Sequence, residues 1–244
     1  MIKMMELDKK KMLIVQLTYQ CNLDCVHCSY HDIHDSSIMS FVDFVDILTT
    51  HDCDVIKISG GEPTILNIIS MYIREAKLFA ETILYTNLTR IPSIDPDHYL
   101  VSFYGTVDHP RIVGDYVPVN KTIKNILLRK DKVTLNTPVF SEQQLIGPLG
   151  VLDFAMEHRL PIRMTRLISH GGARHINVLS PRRQLEIAEK AVKRYDKAYY
   201  TCSLGGSLQC ESKITITPSM EEITCTAEIR GETCFRKIFS ELIK

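Results

Sequence analysis

Short apolar runs alternate with helical stripes along most of this chain, and that alternation constrains its fold more than any other feature. Each run is rich in branched residues and too short to pack as a helix, so it predicts a buried strand. Between the runs, apolar residues recur at helical spacing, and the first such stretch opens with Ser40 as N-cap and Asp43 at the capping-box position. Strands that alternate with helices form right-handed βαβ units, so the sequence predicts an α/β fold with a parallel sheet.

Six strands and five helices are predicted in this way. The strands cover residues 12–18, 54–59, 82–86, 99–104, 132–139 and 161–168. The helices begin after Ser40 and cover residues 65–76, 119–130, 141–159 and 181–195, with a weak point at Gly147-Pro148 in the fourth. Six units are too few for a closed barrel of eight strands, so they predict an open, partial (β/α)6 TIM barrel.

The chain changes in character after residue 200. Four cysteines, the Gly205-Gly206 pair and a hairpin pattern around Pro218, over residues 213–217 and 222–225, replace the alternating units. The sequence therefore predicts two parts. A barrel covers residues 1–198, and a small cysteine-rich hairpin and helix subdomain covers residues 199–244.

Composition limits the partners and the compartment. Acidic and basic residues number 29 each, so the basic surface that nucleic-acid binding requires is not indicated. Residues 1–12 lack the apolar core and cleavage site of a signal peptide, and no stretch is apolar for long enough to cross a bilayer. These features predict a cytoplasmic protein with no membrane partner.

Eight cysteines in such a chain predict metal or redox chemistry, because the cytosol keeps thiols reduced and disulfides rare. Only Cys53 stands alone, and it is predicted to be a small, buried apolar residue. The other seven form one group near the start and one near the end, so two sites are predicted.

The first group consists of Cys21, Cys25 and Cys28, just past the end of the first predicted strand. Parallel α/β folds build their active sites at that edge, and three soft thiolates suit an iron-sulfur cluster with one iron left open. Two other interpretations remain at this point. The three thiols could bind zinc, or their i, i+4, i+7 spacing could bury them on one helix face.

The segment Gly60-Gly61-Glu62-Pro63 follows the second predicted strand. Its glycines let the backbone approach a ligand closely, and its carboxylate can accept hydrogen bonds from an ammonium group. Taken alone, the segment is also an ordinary turn between a strand and a helix.

The order C-x3-C-x2-C after the first strand and G-G-E-P after the second resembles the radical S-adenosylmethionine (SAM) superfamily. The resemblance implies that Cys21, Cys25 and Cys28 hold a [4Fe-4S] cluster, and that residues 60–62 (Gly60, Gly61, Glu62) bind the methionine end of SAM. It further implies reductive cleavage of SAM to a 5′-deoxyadenosyl radical, which abstracts hydrogen from a substrate.

Further matches to that superfamily are less specific. Ser102 and Asn136 stand where members often place polar groups toward the SAM ribose, and Arg166 opens a segment that resembles R-L-I…G-x-A, in which the arginine approaches SAM. All three could equally be polar groups at the edge of the core. Two departures stand out: Leu88 replaces the glycine of a T-N-G motif, and His27 replaces the usual aromatic residue before the third cysteine.

The second group consists of Cys202, Cys210, Cys225 and Cys234. Their spacing around a hairpin resembles the twitch module, a shortened relative of the SPASM module, and implies one auxiliary [4Fe-4S] cluster. A zinc site or four unliganded thiols are the alternatives.

Enzymes of this kind with one auxiliary cluster act on peptides, on proteins or on small cofactor precursors, and we expect one of these substrates here, with flavodoxin or ferredoxin as electron donor. A glycyl-radical-enzyme activase and a non-catalytic zinc-binding interaction protein are the competing functions. The sequence assigns no catalytic acid or base, because five histidines lie on predicted loops where exposed histidines are equally expected. These are His31, His34, His109, His170 and His175.

Overall fold

A computed structural model describes residues 10–114, 119–201 and 213–223 of the chain. Cys202, Cys210, Cys225 and Cys234 lie outside these ranges, together with the Gly205-Gly206 pair. The auxiliary cluster predicted for these cysteines therefore stays a prediction.

The described strands form one nine-stranded sheet in the order β7-β6-β5-β4-β3-β2-β1-β8-β9. All neighbouring pairs are parallel except β8 with β9. The strands are β1 (Met12–Gln16), β2 (Val55–Ser59), β3 (Glu81–Thr86), β4 (His98–Ser102), β5 (Val133–Pro138), β6 (Ile162–Thr165), β7 (Ala198–Thr201), β8 (Lys213–Ile216) and β9 (Glu222–Ile223). The fold is thus the predicted α/β class, an open, partial barrel, with eight parallel strands where six were predicted.

Seven α-helices are described, and those between successive strands cover one face of the sheet. They are α1 (Phe41–Thr50), α2 (Ile69–Phe79), α3 (Asp108–Val113), α4 (Val119–Leu128), α5 (Glu142–Ile146), α6 (Val151–His158) and α7 (Pro181–Arg194). Ser40 caps α1 by accepting a hydrogen bond from the backbone N–H of Asp43, as the capping box predicts. No helix in the described ranges has the length and apolarity needed to cross a bilayer.

Alternation along the strands divides the core into two faces. Leu13 and Val15 of β1 pack toward the helices in the main core, whereas Met12 and Ile14 join a smaller apolar cluster on the other face. That second face is the concave interior of the barrel, the lumen. Its side chains are apolar near the amino ends of the strands and become polar toward the carboxyl ends, where Gln16 and Ser59 lie.

The structure differs from the predicted elements in three places. The predicted helix 141–159 is two helices, because Pro148 cannot donate a backbone hydrogen bond and α5 ends at Ile146 before it. The short helix α3 and the strand β7 were not predicted. Neither is long enough to show a repeating pattern of apolar residues in the sequence, and α3 also contains Pro110.

The predicted C-terminal hairpin is present as β8 and β9, and it extends the barrel sheet. β8 pairs in parallel with β1, with Ile14 opposite Thr215 and Val15 opposite Ile216. The division of the chain between residues 198 and 199 stays a prediction, because the cysteines that define the second part are outside the described residues.

Candidate active site at the carboxyl ends of the strands

A cavity opens at the carboxyl ends of the parallel strands. Its wall includes part of the loop between β1 and α1. The first part of that loop, residues 17–30, carries the first three cysteines and is called here the cysteine loop. The wall also includes residues 60–63 after β2, called here the glycine loop. The predicted site residues that line it are Cys21, Cys25, Cys28, Gly60, Gly61, Glu62, Ser102 and Arg166. Residues predicted from motifs far apart in sequence therefore meet at one place.

The glycine loop packs against the start of the cysteine loop by backbone contact. The N–H of Gly61 donates to the Thr18 carbonyl at 2.7 Å, and the N–H of Glu62 donates to the Gln20 carbonyl at 2.9 Å. A Cβ atom on Gly60 would collide with the Thr18 carbonyl, and one on Gly61 would collide with the Gln20 carbonyl. Glycine is required here because two backbones touch.

A second turn packs against the end of the cysteine loop. Gly172 donates its N–H to the Cys28 carbonyl at 2.9 Å, and a Cβ on Gly172 would stand 2.7 Å from the Val26 carbonyl. Gly171 adopts a φ of 53° beside the same segment. The glycines in the predicted R-L-I…G-x-A segment thus pack on the third cysteine.

The middle of the cysteine loop is held by α3, the helix that the sequence did not reveal. The N–H of Val26 donates to the Ile112 carbonyl at 3.0 Å, and the N–H of Asp24 donates to the Val113 carbonyl at 3.3 Å. The three cysteines therefore sit on a loop without regular structure that is fixed at its start, middle and end.

Glu62 of the glycine loop is buried, with a relative exposure of 1%. One carboxylate oxygen accepts hydrogen bonds from the N–H and hydroxyl of Thr64 and from the hydroxyl of Thr86, and the other accepts from the N–H of Asn87. Burial raises the pKa of Glu62, and these four donors oppose that shift by favouring the carboxylate. Through its bonds to Thr86 and Asn87, Glu62 joins the glycine loop to the loop after β3.

The loop after β3 adopts the left-handed backbone conformation that favours glycine. Leu88 is buried with a φ of 51°, although no glycine is present. Its N–H donates to the Thr86 hydroxyl, and its carbonyl accepts from the Asn125 side chain, both at 2.9 Å. The Asn87 amide donates to Asn22 at 2.9 Å and so connects this loop to the cysteine loop.

The surroundings of the three thiols favour their neutral form. Burial raises the pKa of Cys21 to about 12, and it raises those of Cys25 and Cys28 as well. A bound metal would supply the positive charge that stabilises the thiolates.

No three His, Cys, Asp or Glu side chains of the described residues converge as ligands of a single ion. A cubane cluster has a different requirement, because each of its cysteines binds a different iron. Three thiols spaced around one cavity meet that requirement, and the glycine loop lines the same cavity. The residues present therefore fit such a cluster.

His27 lies in an aromatic setting between the second and third cysteines. Its ring contacts Tyr104 and Phe140 edge-on, with centroid distances of 5.1 and 4.9 Å. Its Nε2 is 3.2 Å from the Tyr104 hydroxyl, and burial lowers its pKa to about 4. A neutral imidazole therefore takes the packing position of the expected aromatic residue.

Two predicted polar residues of the lumen occupy different positions. Ser102 ends β4 and lines the cavity, whereas Asn136, its register partner on β5, does not line it. The Asn136 amide donates to the Tyr85 hydroxyl at 2.5 Å and accepts from Arg163 at 2.9 Å. Asn136 thus contacts the site through these two side chains.

Sequence reasoning missed two charged residues of the cavity wall, Lys57 on β2 and Arg163 on β6. Each interrupts an otherwise apolar strand at a position that alternation assigns to the lumen. A charged residue inside a run of buried apolar residues was the signal that could have identified them. His109 was predicted on a loop, which is wrong: it lies in α3 with 1% exposure, because α3 packs its ring against Phe103 and Tyr104.

The strands and helices define an open α/β barrel with loops gathered over its carboxyl end, and solved structures share this fold. SuiB from Streptococcus suis, bound to S-adenosylmethionine, superposes with a TM-score of 0.73 at 15% identity, over 93% of this chain and 63% of SuiB. SuiB bound to the precursor peptide SuiA gives 0.72 at 15% identity, over 93% of this chain and 62% of SuiB. The chain therefore spans less than two thirds of SuiB.

A third structure, anSMEcpe with bound AdoMet and the Cp18Cys peptide, gives a TM-score of 0.63 at 14% identity, over 88% of this chain and 73% of that one. No protein-family model matches the sequence, and no curated protein matches it either. The similarity to these structures establishes the fold.

Proposed function

We propose that this chain is a radical SAM enzyme whose cysteine loop holds a [4Fe-4S] cluster through Cys21, Cys25 and Cys28. The observation that carries the proposal is the packing of two loops from separate motifs. The cysteine loop and the glycine loop share backbone hydrogen bonds and enclose one cavity at the carboxyl ends of the strands. When bound, the cluster would supply the electron that cleaves SAM to a 5′-deoxyadenosyl radical.

The chain's own residues would bind and orient SAM. Gly60, Gly61 and Glu62 would bind its methionine end, and Glu62 also fixes the conformation of that loop through its four hydrogen bonds. Ser102 and Arg166 line the same cavity and would contact the rest of SAM, with Asn136 positioning Tyr85 and Arg163. The surrounding lumen would exclude water from the reactive species.

The substrate in this proposal is a peptide or protein, and an auxiliary cluster on Cys202, Cys210, Cys225 and Cys234 completes the enzyme. Support for a peptide comes from the solved structures of the same fold, in which SuiB binds SuiA and anSMEcpe binds Cp18Cys. A flavodoxin or ferredoxin would supply the electron.

The test is SAM cleavage by the anaerobically reconstituted protein. With dithionite and SAM, we expect the wild-type chain to form 5′-deoxyadenosine and methionine in equal amounts. The variant in which Cys21, Cys25 and Cys28 are all replaced by alanine is expected to form neither and to lose about four irons of about eight. Cys53→Ala is the matched control, because Cys53 packs on the main core away from the cavity. Cleavage that survives in the triple variant would contradict the proposal.

A further inference from the structure

Three side chains close a ring of hydrogen bonds beside the first cysteine. Asn87 donates its amide to the Asn22 side-chain oxygen at 2.9 Å, Asn22 donates its own amide to the Thr89 hydroxyl at 2.9 Å, and Thr89 donates that hydroxyl to the Asn87 side-chain oxygen at 2.8 Å. Asn22 directly follows Cys21, whereas Asn87 and Thr89 belong to the loop after β3. The ring therefore joins the cysteine loop to a segment that lies 65 residues further along the chain.

The direction of each hydrogen bond in this ring is fixed by its neighbours. The backbone N–H of Thr89 also donates to the Asn87 side chain at 3.0 Å, so the atom that accepts it is the amide oxygen, and the amide nitrogen of Asn87 faces Asn22. Asn22 must then present its oxygen to Asn87 and its nitrogen to Thr89. Within the ring each member donates once and accepts once, an arrangement in which hydrogen bonds polarise and strengthen one another.

Glu62 of the glycine loop is connected to both neighbours of Cys21. On one side, the Glu62 N–H donates to the Gln20 carbonyl at 2.9 Å. On the other side, the Glu62 carboxylate accepts the Asn87 N–H at 2.6 Å, and Asn87 holds Asn22 through the ring. The residues before and after Cys21 are therefore both held by hydrogen bonds that lead to Glu62.

The spacing of these two loops matters for a ligand that contacts both of them. In the proposed function SAM is such a ligand, because it would bind the open iron held by the cysteine loop and also the glycine loop. A ligand that bridges two loops binds more tightly when their spacing is fixed before it arrives, since binding then costs less ordering. Asn87 and Thr89 are buried, whereas Asn22 is exposed, so Asn22 is the member of the ring whose substitution disturbs the core least.

We propose that Asn22 is a positioning residue for SAM. Through the ring, it holds Cys21 in a fixed place relative to the glycine loop, so that the two loops are spaced for SAM before SAM binds. The inference rests on the proposed function. It assigns Asn22 no contact with SAM, because the side-chain oxygen and nitrogen of Asn22 bond to Asn87 and Thr89.

Anaerobic equilibrium dialysis of SAM against the cluster-loaded protein tests this proposal. Asn22→Ala and Thr89→Val each open the ring and leave all three cysteines in place. We expect each variant to keep its iron and to bind SAM about fivefold to tenfold more weakly, because SAM must then order the two loops itself. Ser93→Ala is the matched control: it removes a side-chain hydrogen bond, to Ser70 at 2.8 Å, from an exposed part of the same loop after β3, and it should leave SAM affinity unchanged.

The double variant distinguishes one shared unit from two independent effects. If the ring acts as a unit, Asn22→Ala combined with Thr89→Val weakens SAM binding no further than either change alone. In SAM cleavage, we expect KM for SAM to rise by the same factor while kcat stays within about twofold, a split that a loss of overall stability does not produce. Unchanged SAM affinity in Asn22→Ala, or additive losses in the double variant, would overturn the proposal. Failure of the wild-type protein to bind or cleave SAM would instead contradict the proposed function.

Discussion

Glu62 shows how a single side chain can shape a binding loop through hydrogen bonds to its own protein. Its two oxygens accept four hydrogen bonds, from Thr64, Thr86 and Asn87. Glu62→Gln would place an amide NH2 against one set of these donors. We expect the substitution to lower the free energy of unfolding by about 1–3 kcal/mol and to weaken SAM binding.

Urea unfolding without SAM and equilibrium dialysis with SAM measure the two effects separately. Glu189→Gln on the exposed face of α7 is the control, and it is expected to change neither. Full stability together with unchanged SAM affinity in Glu62→Gln would show that the hydrogen bonds do not shape the loop.

Leu88 carries backbone strain that a glycine would relieve. A non-glycine residue in the left-handed region costs about 1 kcal/mol, yet Leu88 also buries its whole side chain. Leu88→Ala keeps the strain and loses about 2–5 kcal/mol of packing. We expect Leu88→Gly to be about 1 kcal/mol more stable than Leu88→Ala, by urea unfolding. An alanine variant that matches or exceeds the glycine variant would contradict this conformational argument.

At the scale of residues, the sequence predicts groups whose chemistry depends on local spacing. Cys21, Cys25 and Cys28 are close in sequence, so their pattern is visible before any folding. Lys57 and Arg163 become neighbours of one cavity only through the curvature of the sheet. No local pattern links two single charges about a hundred residues apart, so the structure was needed to bring them together.

At the scale of elements, the cysteine loop depends on the backbones around it. The glycine loop, α3 and the Gly171-Gly172 turn each contact a different part of it. Gly172→Ala would place a Cβ 2.7 Å from the Val26 carbonyl and displace the segment that carries Cys28. We expect the purified variant to retain less iron and to lose absorbance near 400 nm, roughly in proportion to the lost cluster.

Gly147→Ala provides the matched control for this experiment. Its Cβ would meet the Gln143 carbonyl at 2.5 Å, so the steric conflict is similar, but it lies at the end of α5 and its conflict is with that helix. The control should lose stability and keep its iron. Equal iron in the two variants would indicate that the turn does not position Cys28.

Helices and strands were predictable from the sequence wherever their pattern of apolar residues repeats several times. β1, β2 and α7 do so, and each agrees with its prediction. α3 has only six residues, and its orientation is set by contacts with the cysteine loop and Tyr104. An element of that length is decided by tertiary packing, which a single sequence does not encode locally.

At the scale of the molecule, buried His109 makes stability depend on pH. Burial lowers its pKa to about 4, and its Nδ1 accepts a hydrogen bond from the Tyr104 N–H at 3.3 Å. Above a pH of about 6.5 the imidazole is neutral in both the folded and unfolded states. As the pH falls toward about 4, only the unfolded chain binds the proton, so up to about 3 kcal/mol of stability is lost.

Comparison with His109→Gln isolates this contribution from that of other groups. The variant is expected to be less stable at pH 7, because the ring contacts of His109 with Phe103 and Tyr104 are lost, but to lose less stability between pH 6.5 and 4.5. Urea midpoints at each pH measure the difference. Parallel declines in the two proteins would show that His109 is not neutral in the folded state.

The pairing of β8 with β1 joins segments about 200 residues apart. The ribosome makes β1 before β8, so one edge of β1 has no partner until about 200 further residues have been made. Contacts between such distant segments form slowly, because closing a long loop precedes any gain from pairing. The loop that carries Cys21 begins at the end of β1. Metal insertion before β8 has paired would therefore take place while one edge of β1 is still unpaired.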